Sequence, residues 1–206
     1  MKNNLGFREF YRRRLPHIQS AGAAYFVTFR LKNSLPKDVV DRLAKESQNT
    51  KLLNENKRAS AYREWFEKYD HALDQFVNTA PYLRDDLIAE MVSTSIQYRD
   101  GKMYELIAYC VMPNHVHVIF IPLMKKPGIY FGLSEILHSL KRHTAKEANH
   151  LLRRSGSFWQ DESYDHCIRD EAELERIVRY VLLNPVKAGF VDEWKKWKWS
   201  YCKFEI

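Results

Sequence analysis

The stretch Cys110-Val111-Met112-Pro113-Asn114-His115-Val116-His117-Val118-Ile119-Phe120 decides how the rest of the chain is read. It is apolar enough to be a β-strand, yet it carries two histidines one residue apart. Along a strand, residues i and i+2 point to the same face. His115 and His117 therefore project side by side, while Val116 and Val118 point into a core. Two imidazoles converging on one face are the start of a divalent metal site. The alternative is a half-buried pair satisfied by backbone groups. Pro113-Asn114 reads as the turn of a hairpin between strands at 103–112 and 115–120.

A second segment lies far downstream: Arg176-Ile177-Val178-Arg179-Tyr180-Val181-Leu182-Leu183-Asn184-Pro185-Val186-Lys187-Ala188-Gly189. On a helix, Tyr180 and Asn184 share one face. An amide oxygen can ligate a hard metal, and a tyrosine hydroxyl can act as a nucleophile. Taken singly, Tyr180 also suits a core aromatic with its hydroxyl at the surface, and Asn184 suits a helix C-cap before Pro185.

The combination of His-x-His on a strand with Tyr-x-x-x-Asn-Pro-Val-Lys-Ala-Gly near the end resembles the single-tyrosine HUH transposases, and within them the REP-associated tyrosine transposases. Further segments match that branch: Arg13-Arg14-Leu15-Pro16-His17, Ala24-Tyr25-Phe26-Val27-Thr28-Phe29-Arg30-Leu31, Phe158-Trp159-Gln160, Tyr164-Asp165-His166-Cys167-Ile168-Arg169 and Trp197-Lys198-Trp199-Ser200-Tyr201. The resemblance implies that Tyr180 is the nucleophile and that His115, His117 and Asn184 hold Mg²⁺ or Mn²⁺. It implies cleavage and rejoining of single-stranded DNA through a 5′-phosphotyrosine. The expected partner is single-stranded DNA folded as a REP-like palindromic hairpin, with a short unpaired tetranucleotide beside the stem. Many relatives carry Gln where this chain has Asn184, so the shorter side chain asks for a closer helix. A monomer acting sequentially and a homodimer with two tyrosines both fit.

The order of elements leads to the same architecture. An aromatic, β-branched strand spans 25–31. A helix runs from 36 to 46, a polar loop fills 47–60, and helical spacing returns at 61–69 and 84–97. The hairpin follows, then a loop at 125–130 and a long helix over 133–151 with Ser134 as N-cap. A short strand at 164–168 and a capping-box pattern, Asp170 to Glu173, open the tyrosine helix. This is an α+β, ferredoxin-like antiparallel sheet with helices on one face and an added C-terminal catalytic helix. The resemblance makes the His-x-His strand central, with the tyrosine helix across its metal face. We read residues 1–206 as a single domain with a basic N-terminal arm (1–20), a helical insert (47–83) and a Trp/Lys-rich tail (192–206).

The net charge of +7 favours a polyanionic partner. Its distribution points to DNA contacts at Arg8, Arg12, Arg13 and Arg14, at Lys141 and Arg142 on the long helix, and at Lys187. Trp194, Trp197 and Trp199 alternate with lysines, which suits base stacking or, for Trp199 above all, a lid on the core. His166 reads as a structural hydrogen-bonding residue, and His138 and His143 as surface or DNA-facing. Cys110, Cys167 and Cys202 form neither a CxxC pair nor an even framework and read as reduced. No apolar run is long enough to span a membrane and no secretory leader is visible, so the expected place is the cytoplasm. A different class, a non-catalytic nucleic-acid-binding module on a ferredoxin-like sheet, explains the fold and charge. It has no need of His-x-His with Tyr-x-x-x-Asn.

Overall fold

A computed structural model describes residues 22–205, together with the backbone of 8–12 and 16–20. The two backbone segments are β1 (Arg8–Arg12) and β2 (Pro16–Ser20), an antiparallel pair. Then come β3 (Tyr25–Arg30), α1 (Lys37–Lys51), α2 (Glu55–Gln75), α3 (Asp86–Tyr98), β4 (Tyr104–Val111) and β5 (His115–Pro122). A small hairpin, β6 (Met124–Lys126) with β7 (Ile129–Tyr130), precedes α4 (Leu133–Leu151), β8 (Tyr164–Cys167), α5 (Glu171–Lys187) and β9 (Ser200–Cys202). The main sheet has the order β8-β3-β5-β4-β9, with every neighbouring pair antiparallel. The histidine strand β5 is its centre, as expected.

Strand alternation divides the core into two layers. On one face Val27, Phe29, Val116, Val118 and Phe120 pack under α3 (Ile88, Val92, Ile96) and α4 (Ile136, Leu140). On the other face Phe26, Cys110 and Ile119 pack under α5 (Ile177, Val178, Val181) and under Trp65 and Phe66 of α2. A register shift between Leu106 and Ala108 lets Ile107 and Ala108 both join the second layer before alternation resumes. The expected helical face is thus α3 with α4, and the tyrosine helix covers the reverse. The segment read as an insert does more than expected, because α2 shares the second layer with α5.

Local boundaries differ where polarity misleads. Residues 47–60 are not a loop: α1 continues to Lys51 and α2 begins at Glu55, with Asn54 Oδ1 accepting the Lys57 amide at 3.2 Å. Thr50 stays in the helix by donating its hydroxyl to the Ser47 carbonyl at 2.8 Å. The loop expected at 125–130 holds the β6–β7 hairpin, turned at Gly128 with φ of 76°. At α4 the N-cap is Gly132 rather than Ser134, which is already inside the helix. No helix among the described residues is long and apolar enough to cross a membrane.

The tail closes the core. Trp199 is buried, and the Trp197 indole donates to the Val111 carbonyl at 3.0 Å while its ring stacks on Phe190. All three cysteines are free.

Candidate active site

The site begins at the β4–β5 turn. The Met112 amide donates to the His115 carbonyl at 2.9 Å, and Asn114 at the tip is fully buried. Its side-chain amide donates to the Leu73 and Phe76 carbonyls at 3.0 and 3.1 Å. Carbonyls at a helix C-terminus lack intrahelical partners, so Asn114 docks the end of α2 onto the turn. With its NH₂ so engaged, the Asn114 oxygen accepts from His115 Nδ1 at 2.6 Å. That fixes the proton on Nδ1 and leaves a lone pair on Nε2. His117 Nδ1 is similarly met by Thr28 Oγ1 on β3 at 2.8 Å.

The two Nε2 atoms face each other at 3.0 Å. Burial holds both rings neutral: His115 lies well below the usual histidine range, helped by His117, and His117 is pushed down to about 3, helped by the positive Lys187. Two further groups reach the same point. Asp70, from α2, brings Oδ1 to 3.4 Å from His117 Nε2, and the Asn184 amide of α5 lies 3.1 Å from the same nitrogen. Asp70 and Asn184 are 5% and 1% exposed, and the Oδ1 atom of each is buried without a hydrogen-bond partner. Orphaned buried oxygens beside paired neutral imidazoles fit a divalent cation with mixed nitrogen and oxygen donors. A half-turn of the Asn184 amide presents its oxygen to the imidazoles. Asp70, His115 and His117 have ligand atoms within 4.8 Å of one another.

The other oxygen of Asp70, Oδ2, accepts a hydrogen bond from the Tyr180 hydroxyl. Tyr180 is thereby held against the cluster, its phenol kept protonated by burial and by the Asp70 charge. Helix α5 that carries it is set by Asp170, whose Oδ1 accepts the Glu173 amide at 2.8 Å. Glu173 in turn accepts from the Arg169 amide at 2.9 Å and from His166 Nε2 at 3.0 Å, so His166 is a structural residue here. The helix ends beyond Asn184, at Ala188 with Gly189 left-handed at φ 74°. Asn184 is therefore not a C-cap. Lys187 stands over the Tyr180 ring, 4.8 Å from its centroid. A cleft of about 120 Å³ opens onto Tyr180 between α2 and α5, rimmed by Arg63, Arg169 and Arg176.

The structure thus brings together His115, His117, Asn184, Tyr180 and Lys187. It does not bring Lys141 and Arg142 to them, because α4 lies on the opposite sheet face. Lys141 donates to the Gln160 and Asp161 carbonyls and to Ser163 Oγ at 2.7, 3.1 and 2.9 Å, bracing that segment. Arg142, His138 and His143 are exposed on α4. The side chains of Arg8 and Arg12, and all of Arg13 and Arg14, lie outside the described residues. Sequence reasoning missed Asp70, Asn114 and Thr28. For Asp70 a signal existed: Phe66, Asp70 and Leu73 follow helical spacing, which puts a carboxylate in an otherwise apolar stripe.

The profile of the IS200-like transposases matches residues 71–184, more than half of the chain. The chain belongs to that family. Within it, a Haemophilus influenzae protein assigned to the REP-associated tyrosine transposases is 28% identical over 127 residues, covering 59% of this chain and 72% of that protein. The REP-associated tyrosine transposase of Escherichia coli K12 is 27% identical over 105 residues, and the match spans 51% of this chain and 58% of that one. The resemblance to the REP-associated branch holds. The fold of this IS200-like transposase is that of the solved REP-associated tyrosine transposase bound to a REP hairpin, with TM-score 0.52 and 19% identity over 93% of this chain and 81% of that one.

Proposed function

We propose that this transposase is a metal-dependent single-strand DNA endonuclease that cuts and rejoins DNA through Tyr180. The observation that carries the reading is the carboxylate of Asp70, which faces the histidine pair with one oxygen and holds the Tyr180 hydroxyl with the other. His115, His117, Asn184 and Asp70 would hold Mg²⁺ or Mn²⁺. When bound, such an ion supplies Lewis-acid polarisation of the scissile phosphate and a template for its orientation.

The phenolic oxygen of Tyr180 attacks phosphorus, and the bond from phosphorus to the 3′ oxygen breaks. The products are a 5′-phosphotyrosine and a free 3′-hydroxyl. One proton leaves the phenol, for which Asp70 Oδ2 is the acceptor at hand, and one arrives at the 3′ oxygen, so the step balances. Lys187, and Arg176 one turn before Tyr180, set positive charge on both sides of the nucleophile. The phosphodiester energy is kept in the tyrosine ester, so a second strand end can be joined without a nucleotide cofactor. The REP hairpin named with the structural relative supports a hairpin substrate here, and the cytoplasm is the place of action that we propose. Asp70 supports reading the 47–83 segment as part of one catalytic domain over 1–206, which would act as monomer or homodimer.

The test is denaturing electrophoresis of labelled hairpin oligonucleotides with Mn²⁺ or EDTA. Wild type forms a covalent adduct with metal; Tyr180→Phe and wild type in EDTA form none yet still bind the strand. An adduct with Tyr180→Phe refutes the nucleophile. No adduct from wild type with any hairpin would favour the non-catalytic binding module.

A further inference from the structure

A cavity of about 440 Å³ lies between α1, α2 and the 160–164 segment. Its walls are apolar: Leu35, Val40 and Leu43 on one side, the rings of Trp65, Tyr69 and Tyr164 on the other. Three of the residues that line it carry polar groups short of partners. Arg30 is 5% exposed, yet among the described residues its guanidinium meets only neutral acceptors: the Leu31 carbonyl at 3.4 Å, Ser34 Oγ at 3.2 Å and the Tyr69 hydroxyl. Ser47 Oγ and Glu162 Oε2 are buried with no hydrogen-bond partner. A buried cation without a carboxylate is costly to the fold, as are orphaned acceptors. An apolar cavity with a few such convergent groups is the usual form of a ligand site.

The chemistry of the walls specifies the ligand. Aromatic rings favour a flat heterocycle. The guanidinium fork calls for two adjacent acceptors, and the free glutamate oxygen calls for a donor beside them. Guanine presents O6 and N7 as adjacent acceptors and N1–H and the 2-amino group as donors on the next edge. Adenine would turn its 6-amino donor toward the guanidinium. Cytosine can meet both groups, but as a single ring it leaves part of the slot empty.

The cavity adjoins the cleavage site. Arg30 pairs opposite His115 in the β3–β5 register, and strand alternation puts it on the same face as Thr28, which meets His117. Tyr69 precedes Asp70, and Tyr164 lines both this cavity and the cleft at Tyr180.

We propose that this cavity receives an unpaired guanine of the single strand bound at Tyr180, turned out of its stack, with Arg30 on O6 and N7 and Glu162 on N1–H and the 2-amino group. This deepens the reading of the Tyr180 site and rests on it for the strand being DNA.

The test is fluorescence anisotropy in EDTA with the Tyr180→Phe protein. The probes are a labelled thymidine dodecamer and the same strand with one central thymine replaced by guanine, 7-deazaguanine, adenine or cytosine. Guanine should tighten binding by about tenfold or more, in line with a bidentate arginine contact. The other replacements should not. Arg30→Lys should remove the preference for the guanine strand over the plain thymidine strand. Ala44→Phe, which blocks the exposed rim, should do the same and guards against misfolding of the first variant. In Glu162→Gln, hypoxanthine should bind as well as guanine. Equal binding of plain and guanine strands overturns the proposal, as does 7-deazaguanine, adenine or cytosine matching guanine, or a preference that survives Ala44→Phe. Nothing is cut in EDTA, so loss of the preference would leave the adduct of the metal-loaded wild type intact, and failure of the adduct would leave the preference intact.

Discussion

Asp70→Asn separates the metal site from the stability of the fold. Burial raises the Asp70 carboxyl from 3.8 to about 6, against the opposing hydrogen bond from Tyr180. At about 1.4 kcal/mol per unit, the ionised carboxylate costs the metal-free fold about 3 kcal/mol. The folded state binds this proton more tightly than the unfolded chain does. Its contribution therefore falls as pH rises from about 4 to about 6, and stays low above that range. Asparagine keeps an oxygen for the Tyr180 hydroxyl and turns an NH₂ toward the His115–His117 pair, with no charge to desolvate. In EDTA at pH 7.5 the variant should melt higher, by about 6–12 °C if the whole cost is recovered in a chain of this size. The gap should close as pH is lowered toward 4. With saturating Mn²⁺ the gap should shrink to about half or less. Losing a ligand should cost at least the roughly 10–100-fold found for outer-shell partners, which removes about 1.4–2.7 kcal/mol of metal-linked stabilisation. Scanning calorimetry with and without Mn²⁺ checks both halves. An unchanged melting temperature in EDTA together with a full Mn²⁺ shift would refute the placement of Asp70 in the cluster.

Three further outcomes follow from the same geometry. Thr28→Val keeps the volume but strips His117 Nδ1 of its partner, so Mn²⁺ affinity by titration calorimetry should fall about 10–100-fold; unchanged affinity would reduce Thr28 to packing. Asn114→Ala leaves the Leu73 carbonyl and His115 Nδ1 unmet, while the Phe76 carbonyl keeps the Thr79 amide at 2.8 Å, and should cost about 2–4 kcal/mol in urea unfolding as well as weaken Mn²⁺ binding. Full stability would mean that the turn does not hold α2. Removing residues 1–21 should flatten the salt dependence of hairpin binding by about 0.7 in log–log slope for each single-strand phosphate that the arm neutralises. An identical slope and sequence preference would move recognition to α4 or the Trp/Lys tail.

What was legible in the sequence was carried by short-range periodicity. His115 and His117 share a face because any strand alternates, and Tyr180 and Asn184 share a face because any helix repeats near four. These relations need no knowledge of the rest of the fold. Asp70 was obscured because its partners lie far along the chain: His117 on β5 and Tyr180 on α5. Asn114 read as a turn residue, which it is, but its second task depends on where α2 ends. Lys141 read as free charge because the carbonyls that hold it come from residues 160 and 161, in a segment with no regular pattern. The boundary of α1 was lost for a local reason. Thr50 and Ser47 are polar in composition yet buried, since a helical carbonyl takes the threonine hydroxyl.

The two-layer arrangement restricts how a single strand can use both basic helices. Tyr180 and Lys187 on α5 cover one sheet face, and Arg142 on α4 covers the other. Five paired strands separate them, so DNA touching both must pass around an edge of the sheet. The β9 edge is flanked by the tail, where Trp197 and Trp199 are committed to the core. The β8 edge borders both the cleft at Tyr180 and, through the segment just before it, the cavity at Arg30. Strand β2 of the N-terminal hairpin approaches that same β8 edge. A strand rounding β8 would meet the arginine rim of the cleft, the Arg30 cavity and the arm that carries Arg8 and Arg12 in succession. On such a path the N-terminal arm and the α4 surface would act on one strand, and their contributions to hairpin affinity should couple rather than add.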